Sequence, residues 1–382
     1  MPYAFSLDDV AFLRSAEGVR VLAECAALDA SRIADVEAAR RVAGERAAAV
    51  LETVVLRRKA KVKLDAEGWL YTSEALQQAS ASAVARHRAS RLTGRDVHDV
   101  TCSIGADLAE LAKVARRTLG SDVDEVRLAM ARHNCPDVPL VRADALRPVS
   151  RGTVVVADPA RRDARGRKWR PEDFAPPLDG LAEVYAGRDL AVKCSPGLDW
   201  TALPWADEVE LVSLDGQVRE ACLWTGDLAS TARRATVLRS DGPQWTVTSD
   251  EPDDVPAGAP GEWIVDPDGA VVRAGLVKHY GARHGLWQLD ERIAYLTGDT
   301  PPPGVRAFRI VEHGPYSEKT LKPLLKRHDV GRLEILVRGL DVDPDALRKR
   351  LKPRGDGEAT VVLTRIGRSP VAFLCEASRI PF

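Results

Sequence analysis

From residue 6 to about 58, apolar residues recur every three or four positions, the spacing of helices that bury one face. Ser6 stands before Asp8 and Asp9 as an N-cap stands before an acidic first turn. Ile33, Val36, Val42, Val50 and Val54 mark the apolar stripe between Ile33 and Leu56. Ser73–Leu92 reads as one more helix with an alanine-rich face. From Asp96 the period changes. Short apolar runs (Val97–Thr101, Arg117–Ser121, Pro139–Arg142, Thr153–Ala157 and Leu190–Lys193) alternate with helical stretches such as Asp107–Val114 and Asp124–His133. That alternation predicts a parallel sheet. Two further runs, Glu208–Leu214 and Val218–Trp224, flank Asp215-Gly216-Gln217, a hairpin signal.

Residues 241–261 are rich in Pro, Gly and Asp and read as a linker. A short strand (Glu262–Val265) and a helix (Val271–His279) follow, and Asp299-Thr300-Pro301-Pro302-Pro303-Gly304 marks a boundary. Beyond it the pattern runs strand (Val305–Glu312), helix (Ser317–His328), strand (Arg332–Val337), helix (Pro344–Leu351), then strands Thr360–Ile366 and Val371–Ala377. The expected organisation is an N-terminal helical region over 1–92, an α/β domain over 93–240, a linker with a short strand and helix over 241–298, and a small α+β domain over 299–382.

Composition narrows the class. A chain of 382 residues, 45% hydrophobic and 29% charged, has enough apolar surface for two or three cores, which excludes wholesale disorder. No apolar run approaches the roughly 18 residues of a membrane span, and the start of the chain lacks the zones of a signal peptide. Six cysteines without a CxxC pair argue for reduced thiols in the cytoplasm and against a zinc site. Seven histidines show no HxxxH spacing, so no metal is expected.

The formal net charge of −1 conceals local patches. Arg57–Lys63 holds five basic residues in seven, and Arg161–Arg170 holds six against Asp163 alone. Lys319–Arg354 holds eleven basic and five acidic residues. Such patches on a neutral protein mark either solvated faces or a phosphate-bearing partner.

The most informative feature is a carboxylate at the C-terminal end of each of four successive predicted strands: Asp99, Asp122, Asp144 and Asp158. Ligands of open α/β sheets bind along that rim. The glycine-rich turn of a dinucleotide site is reduced here to Ser103-Ile104-Gly105-Ala106-Asp107-Leu108. S-adenosylmethionine has no phosphate, but its ammonium, sulfonium, ribose diol and adenine amine suit carboxylates. On this reading Asp122 receives the ribose hydroxyls, Asp144 or its flanking backbone faces the adenine, and Gly105 lets the loop approach the methionine portion. Asp124 reads as the N-cap of the next helix.

The stretch Asp99-Val100-Thr101-Cys102-Ser103-Ile104-Gly105 resembles the cofactor loop of class I S-adenosylmethionine-dependent methyltransferases, usually DxGxGxG, with Thr101 and Ser103 in place of two glycines. The resemblance covers about residues 68–240 and implies a Rossmann-like sheet whose parallel strands end in an antiparallel hairpin. It also implies cofactor contacts from Asp99, Thr101, Cys102, Gly105, Asp122 and Asp144. Glu67-Gly68-Trp69-Leu70-Tyr71 and Gln78-Ala79-Ser80 resemble the preceding motif of RNA methyltransferases of the trimethylguanosine-synthase type. Tyr295–Asp299 and Arg338-Gly339-Leu340 look like a THUMP-like module. The implied fold class is therefore α/β, with an N-terminal helical region and a small C-terminal α+β, THUMP-like domain.

The fourth strand ends Asp158-Pro159-Ala160-Arg161, which is similar to the [DN]PP-aromatic turn of enzymes that methylate base amines, with Ala160 and Arg161 in the variable places. Asp158 and Pro159 are the catalytic candidates: an acid to orient the acceptor and accept its proton. Cys194 follows the fifth strand. There a cysteine is either a covalent nucleophile or, more often, a small buried hydrophobe. Arg161, Arg162, Arg165, Arg167, Lys168 and Trp169 are the candidate clamp for a polynucleotide, and Lys319, Lys322 and Lys326, with Arg327, align on one face of a C-terminal helix. The leading expectation is a cytoplasmic methyltransferase acting on a base of structured RNA, tRNA or rRNA. The alternatives are a non-catalytic RNA-binding protein on a degenerate scaffold and a small-molecule methyltransferase.

Overall fold

The computed structural model describes residues 3–161 and 173–379, and the side chains of all of these except Arg161 and residues 377–379. The chain divides into two compact units, Met1–Leu214 with Arg219–Ser230, and Asp215–Val218 with Thr231–Phe382.

The first unit opens with helices α1 (Leu7–Arg14), α2 (Ala16–Glu24), α3 (Ile33–Ala43) and α4 (Ala47–Ala60). Ser6 caps α1 in a capping box with Asp9, as its position implied. The apolar stripe between Ile33 and Leu56 is interrupted at Gly44, which takes a positive φ of 56° and turns the chain into α4. Ile33, read as a core position, is 80% exposed because it begins its helix outside that core. The predicted helix Ser73–Leu92 is two helices, α5 (Ser73–Gln78) and α6 (Ser82–Ser90). An extended Ala79 separates them, and the break lets the Ser80 hydroxyl reach Glu220 at 3.3 Å and accept from Arg88 at 3.2 Å.

The sheet begins at Asp96. Strands β1 (Asp96–Asp99), β2 (Arg117–Asp122), β3 (Leu140–Arg142) and β4 (Val154–Ala157) alternate with α7 (Ala106–Val114) and α8 (Glu125–Asn134). A short antiparallel pair, β5 (Ala160–Arg161) and β6 (Phe174–Ala175), and helix α9 (Leu178–Val184) lead to β7 (Leu190–Cys194). The hairpin β8 (Glu208–Leu214) and β9 (Gln217–Trp224) closes the unit. Strand order is β8-β9-β7-β4-β1-β2-β3, with β3, β2, β1, β4 and β7 parallel and β9 antiparallel to β7. The hairpin turn has positive φ at both Asp215 and Gly216, the backbone that an Asp-Gly pair adopts readily. Central β4 is buried at every residue, which is why it reads as an unbroken apolar run.

Helix α6 ties to this sheet through charge. Arg88, 2% exposed, pairs with Glu220 of β9 and lies 2.6 Å from Asp107 of α7. Arg91 bonds Glu208 and Glu210 of β8, each at 2.7 Å, and its guanidinium stacks 3.9 Å over the Trp224 ring. Three glutamates buried in strands are thus answered from one helix.

The second unit contains an antiparallel pair, β10 (Arg233–Leu238) and β11 (Trp245–Thr248), and a seven-stranded sheet. That sheet comprises β12 (Trp263–Asp266), β13 (Trp287–Gln288), β14 (Leu296–Gly298), β15 (Arg306–Pro315), β16 (Val330–Val337), β17 (Gly357–Ile366) and β18 (Ser369–Arg379), in the order β13-β14-β12-β15-β18-β17-β16. Helices α10 (Gly269–Arg273), α11 (Val277–His284), α12 (Glu318–Arg327) and α13 (Pro344–Leu351) complete it. The expected helix Val271–His279 is split at Gly275, which has a positive φ of 69°. Segment 241–298, read as a linker with one short strand and one helix, carries four strands and two helices, and its Val247, Ile264, Tyr280 and Leu296 are buried. Alternation divides the C-terminal strands. Val361 and Leu363 pack with α12 and α13 through Leu321, Leu325, Leu347 and Leu351, whereas Val362 faces Ile264 and Phe308 on the other side.

Replacing Arg88 with Met would leave Glu220 and Asp107 buried without their cation. The expected cost is about 3–5 kcal/mol of unfolding free energy, read by denaturant titration.

Candidate functional site

The C-terminal rim of the parallel strands encloses a cleft of about 400 Å³, within the roughly 300–1,000 Å³ of small-molecule sites. Asp99 ends β1, Asp122 ends β2, Asp144 lies two residues beyond β3, and Asp158 lies one residue beyond β4. All four line the cleft, together with Thr101 and Cys102. Register brings them together: β1 pairs with β2 on one side and β4 on the other, so their ends fall at one level.

Three of the four acids are held by backbone donors. Thr101 N–H donates to Asp99 (3.1 Å), Ser103 N–H and Asp124 N–H donate to the two oxygens of Asp122 (2.9 Å each), and Leu146 N–H donates to Asp144 (2.9 Å). A carboxylate oxygen with one such bond keeps a second acceptor position for a ligand. Asp99 is buried, and that burial pushes its carboxyl well above the usual carboxylate range; Asp107 and Asp158 push the same way. Asp144 is exposed, so the rim grades from a dry end at β1 to a wet end at β3.

The loop from Val100 to Gly105 folds back over the sheet through Val100 N–H to Val156 O and Cys102 N–H to Ser121 O, both 2.9 Å. Thr101, in one glycine position of the methyltransferase loop, uses its hydroxyl to accept the Asp158 N–H at 2.6 Å, tying the β1 loop to the end of β4. Ser103, in the other, takes a positive φ of 49°, the conformation a glycine would adopt without strain. Asp124 caps α8 by accepting from Val126 N–H and Arg127 N–H, as its sequence position indicated.

Two expected site residues lie elsewhere. Gly105 is not in the lining. A Cβ there would stand 2.8 Å from Cys135 Sγ, so its missing side chain serves the close approach of α8, not of the methionine portion. Pro159 is buried and outside the lining, with Ala160 next to it on the wall. Cys194 is likewise buried outside the lining, and burial pushes its thiol up, which makes it a core residue rather than a nucleophile. Arg161 belongs to β5, whereas Arg162, Arg165, Arg167, Lys168 and Trp169 lie outside the described residues. Lys319, Lys322 and Lys326 are exposed on α12, as their spacing predicted, and Arg327 pairs with Glu312 at 2.8 Å.

Several site residues carried no readable motif. Asp107 lines the cleft from the first turn of α7, and although burial works to raise its carboxyl, Arg88 and Lys193 bring it below the usual range. Ala75, Gln78 and Ala79 bring α5 to the wall, and Arg127 of α8 joins them. Lys193, at the end of β7, places Nζ 2.6 Å from Asp158 Oδ2. The only sequence signal for Lys193 was a polar residue near the end of an apolar run. Among the described residues no group of three or more His, Cys, Asp and Glu could hold a metal, and no helix is long and apolar enough to cross a membrane.

Gly105→Ala should destabilise the fold by about 1–3 kcal/mol through positive φ and overpacking. Adding Cys135→Ala should restore the packing share, as measured by equilibrium unfolding.

Comparison with known proteins places this site in a family. Residues 305–377 match the family described as THUMP domain-like, and residues 6–60 match a domain of unknown function. Two Mycobacterium tuberculosis proteins, from strains CDC 1551 / Oshkosh and ATCC 25618 / H37Rv, are each 51% identical over 356 residues, covering 88% of this chain and 99% of theirs. Each is named an uncharacterized S-adenosylmethionine-dependent methyltransferase. A candidate methyltransferase from Porphyromonas gingivalis W83 shares the fold over 99% of this chain and 100% of its own, with a TM-score of 0.74 at 20% identity. With that extent of identity behind it, the chain belongs to the S-adenosylmethionine-dependent methyltransferases, as a class I enzyme carrying a THUMP-like domain near its C-terminus.

Proposed function

We propose that this methyltransferase acts on a base of structured RNA, tRNA or rRNA, in the cytoplasm. The observation that carries the RNA reading is the THUMP-like match over 305–377, supported by the exposed Lys319, Lys322 and Lys326 on α12. Lysines spaced along one helix face suit phosphate contacts, which supply affinity without reading sequence. The cytoplasmic placement is supported by six buried cysteines, all free thiols.

The cleft residues fit the cofactor. A rim of carboxyl groups over an apolar floor of Val100, Ile104 and Ala145 suits a cation that also carries a diol and a flat heterocycle. In this assignment Asp122 takes the ribose hydroxyls, Asp144 and its neighbours face the adenine, and Asp99, Thr101 and Cys102 flank the methionine portion. When bound, S-adenosylmethionine supplies a methyl group on a positively charged sulfur. The chain's own residues then orient the acceptor: Asp158 accepts a hydrogen bond from the acceptor's N–H, and the cleft keeps the two reactants in line.

Two variants test the cofactor assignment by calorimetry. Asp122→Ala should weaken binding roughly tenfold to a hundredfold, the loss of one or more charge-assisted hydrogen bonds. Because Asp99 holds its proton above the usual range, a cation binding beside it favours proton release. Cofactor affinity should therefore rise with pH, by up to about tenfold per unit for one linked proton. In Asp99→Asn that slope should vanish.

Incubation with methyl-labelled cofactor and total cellular RNA, followed by nucleoside analysis, tests the substrate. Label in a methylated base is expected. Label confined to protein or small molecules refutes the RNA reading. Replacing Lys319, Lys322 and Lys326 together with Ala should raise the RNA KM and reduce its salt slope by about 0.7–0.9 per lost phosphate contact.

A further inference from the structure

The geometry points to Lys193 as a positioning residue for methyl transfer, acting through Asp158 to hold the acceptor against the methyl group. This rests on the assignment of Asp158 as the acid that orients the acceptor.

Strands β4 and β7 are parallel neighbours, with Ala157 opposite Val192, so the residues that follow at each end share one level of the rim. Lys193 Nζ lies 2.6 Å from Asp158 Oδ2 and donates to the Gln78 carbonyl at 3.2 Å. Its side chain is only 12% exposed. Asp158 is thereby fixed at both ends, its N–H on the Thr101 hydroxyl and its Oδ2 on the ammonium. Oδ1 has no hydrogen-bond partner among the described residues, which leaves it for an acceptor N–H. A carboxylate clamped in this way presents one oxygen in one direction, and orientation of that kind is what a transfer between two bound molecules needs.

The charge around Lys193 is arranged to keep it protonated. Burial alone would lower its ammonium, but Asp158, Asp107 and Glu220 outweigh burial and the like charge of Arg88. Lys193 itself is absent from the cofactor cleft's lining, whereas Asp158 and Gln78, which it grips, are part of it. Its loss should therefore fall on turnover and spare cofactor binding. The groups facing Asp158 are Asp99 of β1, Lys193 and Cys194 of β7, and Lys63, which donates to the Leu76 and Gln77 carbonyls at the end of α5. Arg88 and Glu220 stand behind Lys193.

The test is single-turnover methyl transfer at saturating cofactor, using whichever fraction of a total extract the wild-type enzyme labels. Label outside RNA would overturn the RNA reading and leave the Lys193 test intact. Lys193→Met should slow transfer about 10–100-fold, while calorimetry shows cofactor affinity within about twofold of wild type. Lys193→Arg, which keeps a cation beside Asp158, should retain most of the rate. In an Asp158→Asn background, Lys193→Met should have no further effect. Lys193→Gln is run alongside, so that a folding failure of the Met variant leaves the cycle complete. The proposal is overturned by a wild-type rate in both neutral variants, by a Lys193→Arg rate as slow as that of Lys193→Met, or by effects of the two positions that multiply independently.

Discussion

Carboxylates buried in and beside a sheet cost more than the strands can compensate unless cations answer them, and this constraint organises the first unit. Arg88 answers Glu220 and Asp107, Arg91 answers Glu208 and Glu210, and Lys193 answers Asp158. The cations come from α6 and β7, elements outside the cofactor loop. The framework that holds these acids is the same one that packs α6 onto the sheet. Asp99 is the exception. Burial, with the like charges of Asp107 and Asp158, pushes its carboxyl well above the usual range, against one backbone N–H from Thr101.

The departures from the usual methyltransferase loop acquire a physical role in this setting. Thr101 bonds the backbone of Asp158, a tether that glycine could not form. Ser103 accepts a left-handed conformation, and its N–H holds Asp122 in place. The retained Gly105 is required by the packing of Cys135 against it, a demand of the helix behind the loop rather than of the ligand before it. The loop is thus rigidified by side chains where relatives of the common pattern rely on glycine.

The same contrast runs through the second unit. Prolines, glycines and aspartates over 241–261 look like linker punctuation when counted, yet the segment to 298 builds strands and helices around buried Ile264, Tyr280 and Leu296. Gly261 shows why composition misleads there: a Cβ would stand 2.8 Å from the Gly298 backbone, so the residue permits close strand approach instead of marking a flexible stretch.

Local pattern alone was enough to specify the parallel strands, the Asp-Gly hairpin, the caps at Ser6 and Asp124, and the rim of Asp99, Asp122, Asp144 and Asp158. Those features depend on periodicity and on neighbours a few residues away, and both are written along the chain. Tertiary structure decided the split of Ser73–Leu92, the withdrawal of Gly105 and Pro159 from the cleft, and the partnership of Lys193 with Asp158 across 35 residues of chain. No periodicity encodes such a pairing. It arises only when two strands lie side by side and burial makes an unpaired charge intolerable.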